Sequence, residues 1–578
     1  MQPQFPAQQP QSPTSAATSV KLTGWLLLVP AVILTVLTLV IPTVRTISTS
    51  LSSADLLGAG GPVGADNYEG LFDRLGFWSS LWFSLSLMLG PIIVAVIVAP
   101  LLSAAVSWAG TWARWVTRIV LSLTLVVFSP VALAIAWGRT FRDTPELLAD
   151  PDLTGGSLRV SVAMMTFGVM CAVGVMIFLP VFRAREQRRP MWPALFTAAG
   201  VLTLGLLAVG LQLFTVPYVM TRFGPRDATM TPVGAMFTNA FQFGRLGVGA
   251  AVATVLLVLL AVLGVAAVLV LILTRFRVSL LPPRQRRSPA VGGTPPPAGD
   301  NAAAIVVAVF ALLAVLVAVV LNARPWLDGL SGTAPESPPG AGRRTWVPAT
   351  LGAMLSVLVA YLAALGISGL RPLGRHSEWL LLPFAPWLFV GVAPLSIAFF
   401  TSLRDDGGLD AESGPFPPIL VSIVSLVVLA LLCRGQSQRW KHQVAAGAPV
   451  AATFFRSVVV PTLPLAGLLF LLTTLINAQD LVWPLLSATS PDGSTTLLML
   501  LRANFEFTGP EVSVASATPL FAVVLGFACL VAVQVFHLDR MVVGTGSAEE
   551  PAMHDAGAAP DAAGPARSDQ PLYPYPRT

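Results

Sequence analysis

Residues 247–274 have the sequence GVGAAVATVLLVLLAVLGVAAVLVLILT, a run of 28 positions without a charged side chain. A helix that rises 1.5 Å per residue crosses the roughly 30 Å hydrocarbon core of a bilayer in about 20 residues. This run is therefore long enough and apolar enough to span a membrane. It is followed by Arg275 and Arg277, and basic flanks of this kind mark the cytoplasmic ends of membrane helices.

The rest of the chain has the same apolar character. Of its 578 residues, 55% are hydrophobic and 11% are charged, and the mean hydropathy is +0.76. Soluble proteins carry about 25% charged residues, so a soluble chain of this length would lack the polar surface to cover its domains. The composition predicts an all-α polytopic membrane protein.

The net charge of +6 does not indicate nucleic-acid binding. Of the 34 basic residues, 32 are arginines, and they lie in short loops between apolar runs. A nucleic-acid interface requires a clustered basic face on a soluble domain. We therefore interpret the basic residues as determinants of membrane topology and expect no nucleic-acid partner.

Apolar runs long enough for a membrane helix occur about twelve times along the chain. The first begins too late and is too long for a cleaved signal peptide, so we expect it to remain as an anchor. The predicted spans are 23–44, 78–103, 115–138, 157–180, 193–213, 247–274, 301–322, 348–370, 379–400, 416–433, 458–476 and 514–537.

The distribution of charge predicts the orientation of these spans. With a cytoplasmic N-terminus, the inner loops 104–118, 183–189, 275–300, 371–378 and 434–456 hold 17 basic and 3 acidic residues. The outer loops hold 13 basic and 19 acidic residues. Lys and Arg are enriched in cytoplasmic loops, so we expect both termini in the cytoplasm. The preference for arginine over lysine is typical of a high-GC bacterium, which places the protein in a bacterial plasma membrane.

The domain organisation follows from composition. Residues 1–21 and 543–578 are rich in small and polar residues and predict disordered tails. Residues 279–300 are rich in proline and arginine and predict a cytoplasmic linker. This linker separates a first half, 22–278, from a second half, 301–542, each with six predicted spans.

The sequence has no pattern typical of an enzyme. A P-loop requires Gly-Lys-Ser/Thr, and neither of the two lysines follows a glycine. The three cysteines fall in or beside apolar runs, and the four histidines are too scattered for a zinc site. We therefore expect no catalytic residue, no cofactor and no metal site, and any ATP hydrolysis must take place on another chain.

Four segments of the first half are similar to motifs of one transporter family. They are IPTVRTI at 41–47, VGADNYEGLF at 63–72, LQLFTVPYVMT at 211–221 and GRLGVGAA at 244–251. Segments of the second half are similar to the partner subunit: FFR at 454–456 with Pro461, NAQDLVWPLL at 477–486 and RMVVGTG at 540–546. In order and spacing, both halves resemble the permease subunits of type I ABC importers of the maltose/carbohydrate type, here fused in one chain.

This resemblance implies a fold and a function. The two six-helix halves would form a pseudo-two-fold pair around a central pathway. An extracytoplasmic, lipid-anchored binding protein would deliver a solute, of the sugar or oligosaccharide class, and separate ATPase subunits would drive transport. The residues that the resemblance and their polar or aromatic character assign to the pathway are Gln212, Phe214, Tyr218, Asn477, Gln479, Asp480 and Trp483.

Permeases of this family dock onto their ATPase through a cytoplasmic loop with the pattern E-A-A-x-x-D-G-A. Ala446-Gly447-Ala448 keeps the Gly-Ala, whereas Lys441 and Ala446 stand at the positions of the two acids. In the first half, the loop Val181–Arg189 is roughly twenty residues shorter than the family's. The predicted ATPase-coupling residues are Gly447, Ala448, Phe455, Arg456, Arg183, Arg185, Arg188 and Arg189.

Two other functions remain open at this point. The altered docking loops would also suit a degenerate permease homologue that acts as a membrane scaffold and neither binds an ATPase nor transports. Twelve spans with a central linker would also suit a secondary transporter, although the spans lack the paired charges of such proteins.

Overall fold

The protein is described by a computed structural model. The described residues are 13–56, 58, 60–73, 76–144, 146–183, 191–280, 301–332, 340–409, 416–488, 490, 493–505 and 513–546. Most of the linker and most of both predicted tails lie outside this set. Helical structure already begins at Pro13, so residues 13–21, which we assigned to the N-terminal tail, continue into the first helix, whose long apolar part is Thr18–Ser50.

The first half is helical up to a short strand. Its elements are α1 (Thr18–Ser50), α2 (Asp66–Asp73), α3 (Phe77–Ala109), α4 (Thr111–Val126), α5 (Pro130–Asp143), α6 (Glu146–Ala149), α7 (Pro151–Phe182), α8 (Trp192–Leu211), α9 (Thr215–Thr221), α10 (Pro232–Phe237), α11 (Leu246–Leu273) and β1 (Arg277–Leu280). Two π-helical turns, Val36–Val40 and Val94–Val98, lie within α1 and α3, and a third, Thr238–Gln242, follows α10.

The second half has a similar succession of elements. They are α12 (Asn301–Asn322), α13 (Arg324–Gly329), α14 (Ala341–Leu370), 3₁₀ segments at Gly374–Trp387 and Ala393–Leu395, α15 (Ser396–Asp405), α16 (Ile423–Ala445), α17 (Val450–Ala478), α18 (Val482–Ser487), α19 (Thr496–Phe505), 3₁₀ Val514–Ala517, α20 (Leu520–Phe536), 3₁₀ Leu538–Arg540 and β2 (Met541–Gly544). The π-helical turn Leu365–Leu370 ends α14, and Phe455–Val459 lies within α17.

Among the described residues, nine helices are long and apolar enough to cross a membrane. The number becomes ten if α4 and α5, which meet at an angle of 82°, count as one broken span. Pro130 occupies the first turn of α5, and the Ser129 hydroxyl accepts a hydrogen bond from the Ala132 N–H at 3.2 Å, so α5 starts afresh after the bend. The prediction of an all-α polytopic membrane protein is confirmed at this level.

Besides the span 115–138, which corresponds to the broken pair α4 and α5, two of the twelve predicted spans differ from long apolar helices. The span 379–400 is divided into 3₁₀ turns and α15, because Pro383, Pro386 and Pro394 supply no backbone N–H and interrupt an α-helix. The span 416–433 becomes helical only at Ile423, and the helix continues through polar residues to Ala445. Hydropathy located both segments but could not give their helical geometry.

The two halves interlock reciprocally. The first helix of the first half, α1, packs against α14 of the second half, and the first helix of the second half, α12, packs against α3, α4 and α7. The last helix of each half also crosses over, since α11 packs against the 3₁₀ segment Gly374–Trp387 and α20 packs against α4. Much of the interface between the halves is therefore formed by the first and last helices of each half, which pack against corresponding elements of the other half.

Close helix packing holds this interface together. A Cβ added to Gly264 of α11 would lie 2.2 Å from the Ala385 carbonyl oxygen, and one added to Gly366 of α14 would lie 2.5 Å from the Gly24 carbonyl oxygen. Small residues allow such approaches between membrane helices, where dispersion rather than the hydrophobic effect drives association. The glycines thus set the distance between the halves.

A two-stranded ribbon, which the sequence analysis did not predict, joins the segments that follow α11 and α20. Strands β1 and β2 are antiparallel, with Arg277 opposite Gly544 and Leu280 opposite Met541. We call this pair the inner ribbon, because both strands follow helix ends predicted to be cytoplasmic.

Candidate functional site

A cavity of about 670 Å³ lies between the halves. One wall comes from the end of α5 in the first half, and the others come from α12, α13 and residues 513–514 of the second half. The lining residues are Ala136, Trp137, Arg139, Val320, Leu321, Arg324, Pro325, Asp328, Gly329, Ser331, Gly332, Ser513 and Val514. All of them belong to predicted outer loops or to the ends of spans next to them.

The lining combines an aromatic ring with polar and charged groups. Trp137 and Arg139 are half-buried, whereas Arg324 and Asp328 are about 70% exposed and form an ion pair of 3.3 Å. The Ser513 hydroxyl donates to the Gly329 carbonyl. Such a set can hydrogen-bond hydroxyl groups and offer a flat ring to C–H surfaces, which is the chemistry that a sugar requires.

Buried contacts fix the walls of the cavity. The indole N–H of Trp326 donates to the Thr518 carbonyl at 2.9 Å, which ties α13 to the second half's loop before α20. A Cβ on Gly329 would lie 2.9 Å from the Ala515 amide nitrogen, so α13 lies against this loop. The second-half walls thus form one supported unit, and α5 faces it from the first half.

None of the seven predicted pathway residues lines this cavity. In the first half, Gln212 uses its side chain to bind the second half. Its Nε2 donates to the Phe389 carbonyl at 2.8 Å and to the Ala208 carbonyl at 3.0 Å, and its Oε1 accepts from the Gly391 N–H at 2.7 Å. Gln212 is therefore a link between the halves.

Phe214 and Tyr218 belong to an aromatic cluster. Their rings stack with centroids 4.9 Å apart, and Phe214 is buried. Tyr218 also meets Phe505 of the second half edge-on at 6.1 Å, and the Arg222 guanidinium lies 3.9 Å from the Phe505 ring centroid. Burial raises the pKa of the Tyr218 hydroxyl, and the neighbouring Arg222 opposes this shift.

The second-half pathway residues also make contacts within the fold. Asn477 Nδ2 donates to the Ala349 carbonyl at 3.3 Å, and Gln479 Nε2 donates to the Ala517 carbonyl at 3.1 Å. The carboxylate of Asp480 accepts from the backbone N–H groups of Val482 and Trp483 at the start of α18. Burial raises the pKa of Asp480 to about 6, although these backbone hydrogen bonds lower it.

Trp483 is buried and anchors α18. Its indole N–H donates to the Phe416 carbonyl at 2.9 Å, and its ring meets Phe399 edge-on at 6.0 Å. Each of the seven residues thus has a packing or hydrogen-bonding role among its neighbours.

Gln212 and Gln479 occupy corresponding positions, which the sequence analysis missed. Each ends its helix, α8 or α17, with a similar backbone conformation (φ −104°, ψ 7° and φ −101°, ψ 5°), and each is followed by a short helix. The shared signal in the sequence is a glutamine three residues before the next helix starts. Only Gln212 bonds to the other half.

Of the predicted ATPase-coupling residues of the second half, Gly447 and Ala448 lie in the turn between α16 and α17, and Phe455 and Arg456 lie in the π-helical turn of α17. Gly447 has φ +89°, a left-handed conformation that favours glycine, and Phe455 and Arg456 are exposed. The Trp440 indole N–H donates to the Val450 carbonyl at 3.2 Å, and its ring meets Phe454 edge-on at 5.1 Å, which braces the turn. Ala448 completes this turn.

Of the predicted coupling residues of the first half, the structure describes Arg183. Arg183 is buried, and its guanidinium lies 3.6 Å from the Asp539 carboxylate. It is therefore an internal ion-pairing residue rather than an exposed contact. Arg185, Arg188 and Arg189 lie outside the described residues.

A second buried ion cluster lies in the second half. Glu378 accepts from Arg371 at 2.8 Å and lies 3.3 Å from Arg434. The sequence analysis treated all these residues as topology signals, because spacing along the chain gives no sign of their pairing.

Within the described part of the chain, no group of three or more His, Cys, Asp or Glu side chains is arranged to hold a metal ion. Comparison of the chain with protein-family models and with curated proteins finds no match.

Proposed function

We propose that the chain is the membrane-spanning permease component of an ABC importer in a bacterial plasma membrane, with both termini in the cytoplasm. It carries a solute of the sugar or oligosaccharide class, delivered by an extracytoplasmic, lipid-anchored binding protein. Separate ATPase subunits supply the energy. The segments Gly374–Asp405 and Ile423–Ala445 complete six membrane segments in the second half.

The reciprocal interlocking of the halves is the observation that carries this proposal. Transporters are commonly built from two repeats, and their substrates bind at the repeat interface. Here, the two halves have a similar order of elements, and the first and last helices of each pack against the other. The cavity of about 670 Å³ lies between the halves. The polar and aromatic lining of this cavity supports a sugar as the solute.

Purification from native membranes tests the energy source. The tagged chain should retain an ATPase subunit and a binding protein, identified by mass spectrometry. Gly447→Glu forces a side chain into a φ +89° turn and should release the ATPase. Ala446→Asp, at φ −80°, adds an acid without strain and should retain it. Absence of an ATPase from both the wild type and Ala446→Asp would refute the proposal.

The cavity is tested by uptake of the sugar that the co-purified binding protein carries. Trp137→Ala removes the ring from the cavity wall, and we expect at least a severalfold loss of uptake. Trp82→Ala is the matched control, because Trp82 is 68% exposed and does not line the cavity. Equal uptake by both variants would exclude this cavity from the pathway.

A degenerate permease homologue that acts as a scaffold is the second candidate. It is favoured by Lys441, an exposed cation beside the turn at which related docking loops carry an acid. For this candidate, the same purification yields membrane partners but no ATPase, and Gly447→Glu changes nothing.

A further inference from the structure

Three arginines of the first half share one carboxylate of the second half. Asp539 Oδ1 lies 3.2 Å from Arg118 Nη1, 3.6 Å from Arg183 Nη1 and 3.8 Å from Arg114 Nε. The arginine side chains are at most 6% exposed, and that of Asp539 is 16% exposed. We call these four residues the Asp539 cluster.

The cluster is part of a network between α4 and α20. Arg118 Nη1 also donates to the Gln534 carbonyl at 2.9 Å. The Gln534 side chain donates back to the Ser122 hydroxyl at 3.1 Å, and Ser122 donates to the Arg118 carbonyl at 2.7 Å. Two turns of α4 are therefore fixed to the end of the second half's last helix.

The inner ribbon begins two residues after Asp539. Strand β2 pairs with β1 of the first half, with Val278 opposite Val543. Strand β1 is also held from the second half, because Arg439 of α16 donates to the Leu280 carbonyl and Arg434 donates to the Phe276 carbonyl at 3.5 Å. The cluster and the ribbon thus close one end of the interface, while the cavity opens elsewhere.

Asp539 is the member that joins the two halves electrostatically. All three arginines belong to the first half, so without the negative charge they repel one another and lose their ion pairs to the second half, whereas Arg118 keeps its hydrogen bond to the Gln534 carbonyl. Glu378 offers a matched comparison, because its two ion-pair partners, Arg371 and Arg434, belong to its own half.

We infer that Asp539 is an electrostatic lock that holds the inner ribbon end of the two halves closed, and that its release opens this end. The lock and its opening are properties of the chain alone. That the opened end is the exit for a solute rests on the proposed function. An equilibrium between closed and open forms requires contacts that exist in only one of them, and the Asp539 ion pairs are such contacts.

Distances between spin labels in lipid nanodiscs test this inference without a solute or an ATPase. Labels at Ala109→Cys and Ala446→Cys report on exposed positions of the two halves. The background carries Cys529→Ser, because this cysteine is exposed whereas the other two are buried. The full chain is compared with and without Asp539→Asn, and with Glu378→Gln as the control.

We expect Asp539→Asn to add a population with a longer distance between the labels and Glu378→Gln to leave the distribution unchanged. A disulfide between Val278→Cys and Val543→Cys, which face each other across the inner ribbon, should abolish the longer population, and reduction should restore it. If Asp539→Asn does not fold, Arg114→Gln removes the longest of the three ion pairs and should give a smaller shift.

An unchanged distribution in folded Asp539→Asn, or the same shift in Glu378→Gln, would overturn the inference. If the protein shows the expected shift but retains no ATPase, the inference about Asp539 would stand and the proposed transport function would be refuted. The two results are therefore distinguishable.

Discussion

Replacement of Gln212 by alanine distinguishes a structural link from a pathway residue. The side chain donates two hydrogen bonds from Nε2 and accepts one at Oε1, all with backbone groups. Two of these groups, the Phe389 carbonyl and the Gly391 N–H, belong to the second half. Gln212→Ala leaves the Phe389 carbonyl and the Gly391 N–H without their hydrogen bonds to Gln212. A desolvated polar group without its hydrogen bond costs about 1–3 kcal/mol.

Because Phe389 and Gly391 are half-buried, we take the lower part of this range for each group. We therefore expect Gln212→Ala to lower the free energy of unfolding by about 2–4 kcal/mol. Denaturation in mixed micelles, followed by tryptophan fluorescence, measures this change. Gln479→Ala, at the corresponding position, loses hydrogen bonds to Ala517 and Thr518 within one half and should cost about as much.

The spin-label distance between the halves separates the two variants. Gln212→Ala should broaden the distance distribution because it breaks a link between halves, whereas Gln479→Ala should not. A Gln212→Ala protein as stable as the wild type but deficient in uptake would refute this reasoning. That result would return Gln212 to the solute pathway.

Three further changes test packing and charge. Gly264→Ala brings a Cβ to about 2.2 Å from the Ala385 carbonyl oxygen, and we expect it to lower the free energy of unfolding by about 1–3 kcal/mol. Gly467→Ala, with open space around it, is the control and should leave the free energy of unfolding unchanged. Trp483→Phe loses one indole hydrogen bond and should cost about 1 kcal/mol in the same assay. The raised pKa of Asp480 means that the folded state binds the proton more tightly than the unfolded state, so stability should fall as the pH rises from about 4 to about 6. Asp480→Asn should remove this slope, and an unchanged slope would assign it to another group.

Hydropathy predicted the membrane class and the long helices because an apolar run such as 247–274 has few other stable environments. The same signal could not give the 82° bend between α4 and α5 or the 3₁₀ path of Gly374–Trp387. Both depend on where backbone groups find partners around Ser129 and the prolines. At the bend, the Ala132 N–H finds its partner in the Ser129 hydroxyl, and along the 3₁₀ path the prolines supply no N–H; neither feature is encoded in the mean hydropathy of a segment.

The candidate site was harder to predict than the fold. The sequence assigned Gln212 and Asp480 to the pathway because they are hydrogen-bonding side chains in segments that resemble the family's motifs. In the structure, these side chains complete the hydrogen bonds of backbone groups in their own surroundings. Trp137 and Asp328, which line the cavity, lie far apart in the chain and belong to no shared motif. Their proximity arises only from the packing of one half on the other.

The first and last helices of each half restrict how the halves can move, because they pack against the other half. Separation would require α1 to leave α14 and α12 to leave α7, which would expose tightly packed small residues such as Gly366. A relative rotation that keeps these contacts would avoid that exposure. In α7, the Gly168 N–H donates to Asn322 Oδ1 at 2.7 Å, next to Leu321 of the cavity wall, and the helix ends one residue before Arg183 of the Asp539 cluster. A change at Asp539 can therefore reach the cavity through one rigid element, and Asp539→Asn should alter the accessibility of a cysteine placed at Ser331.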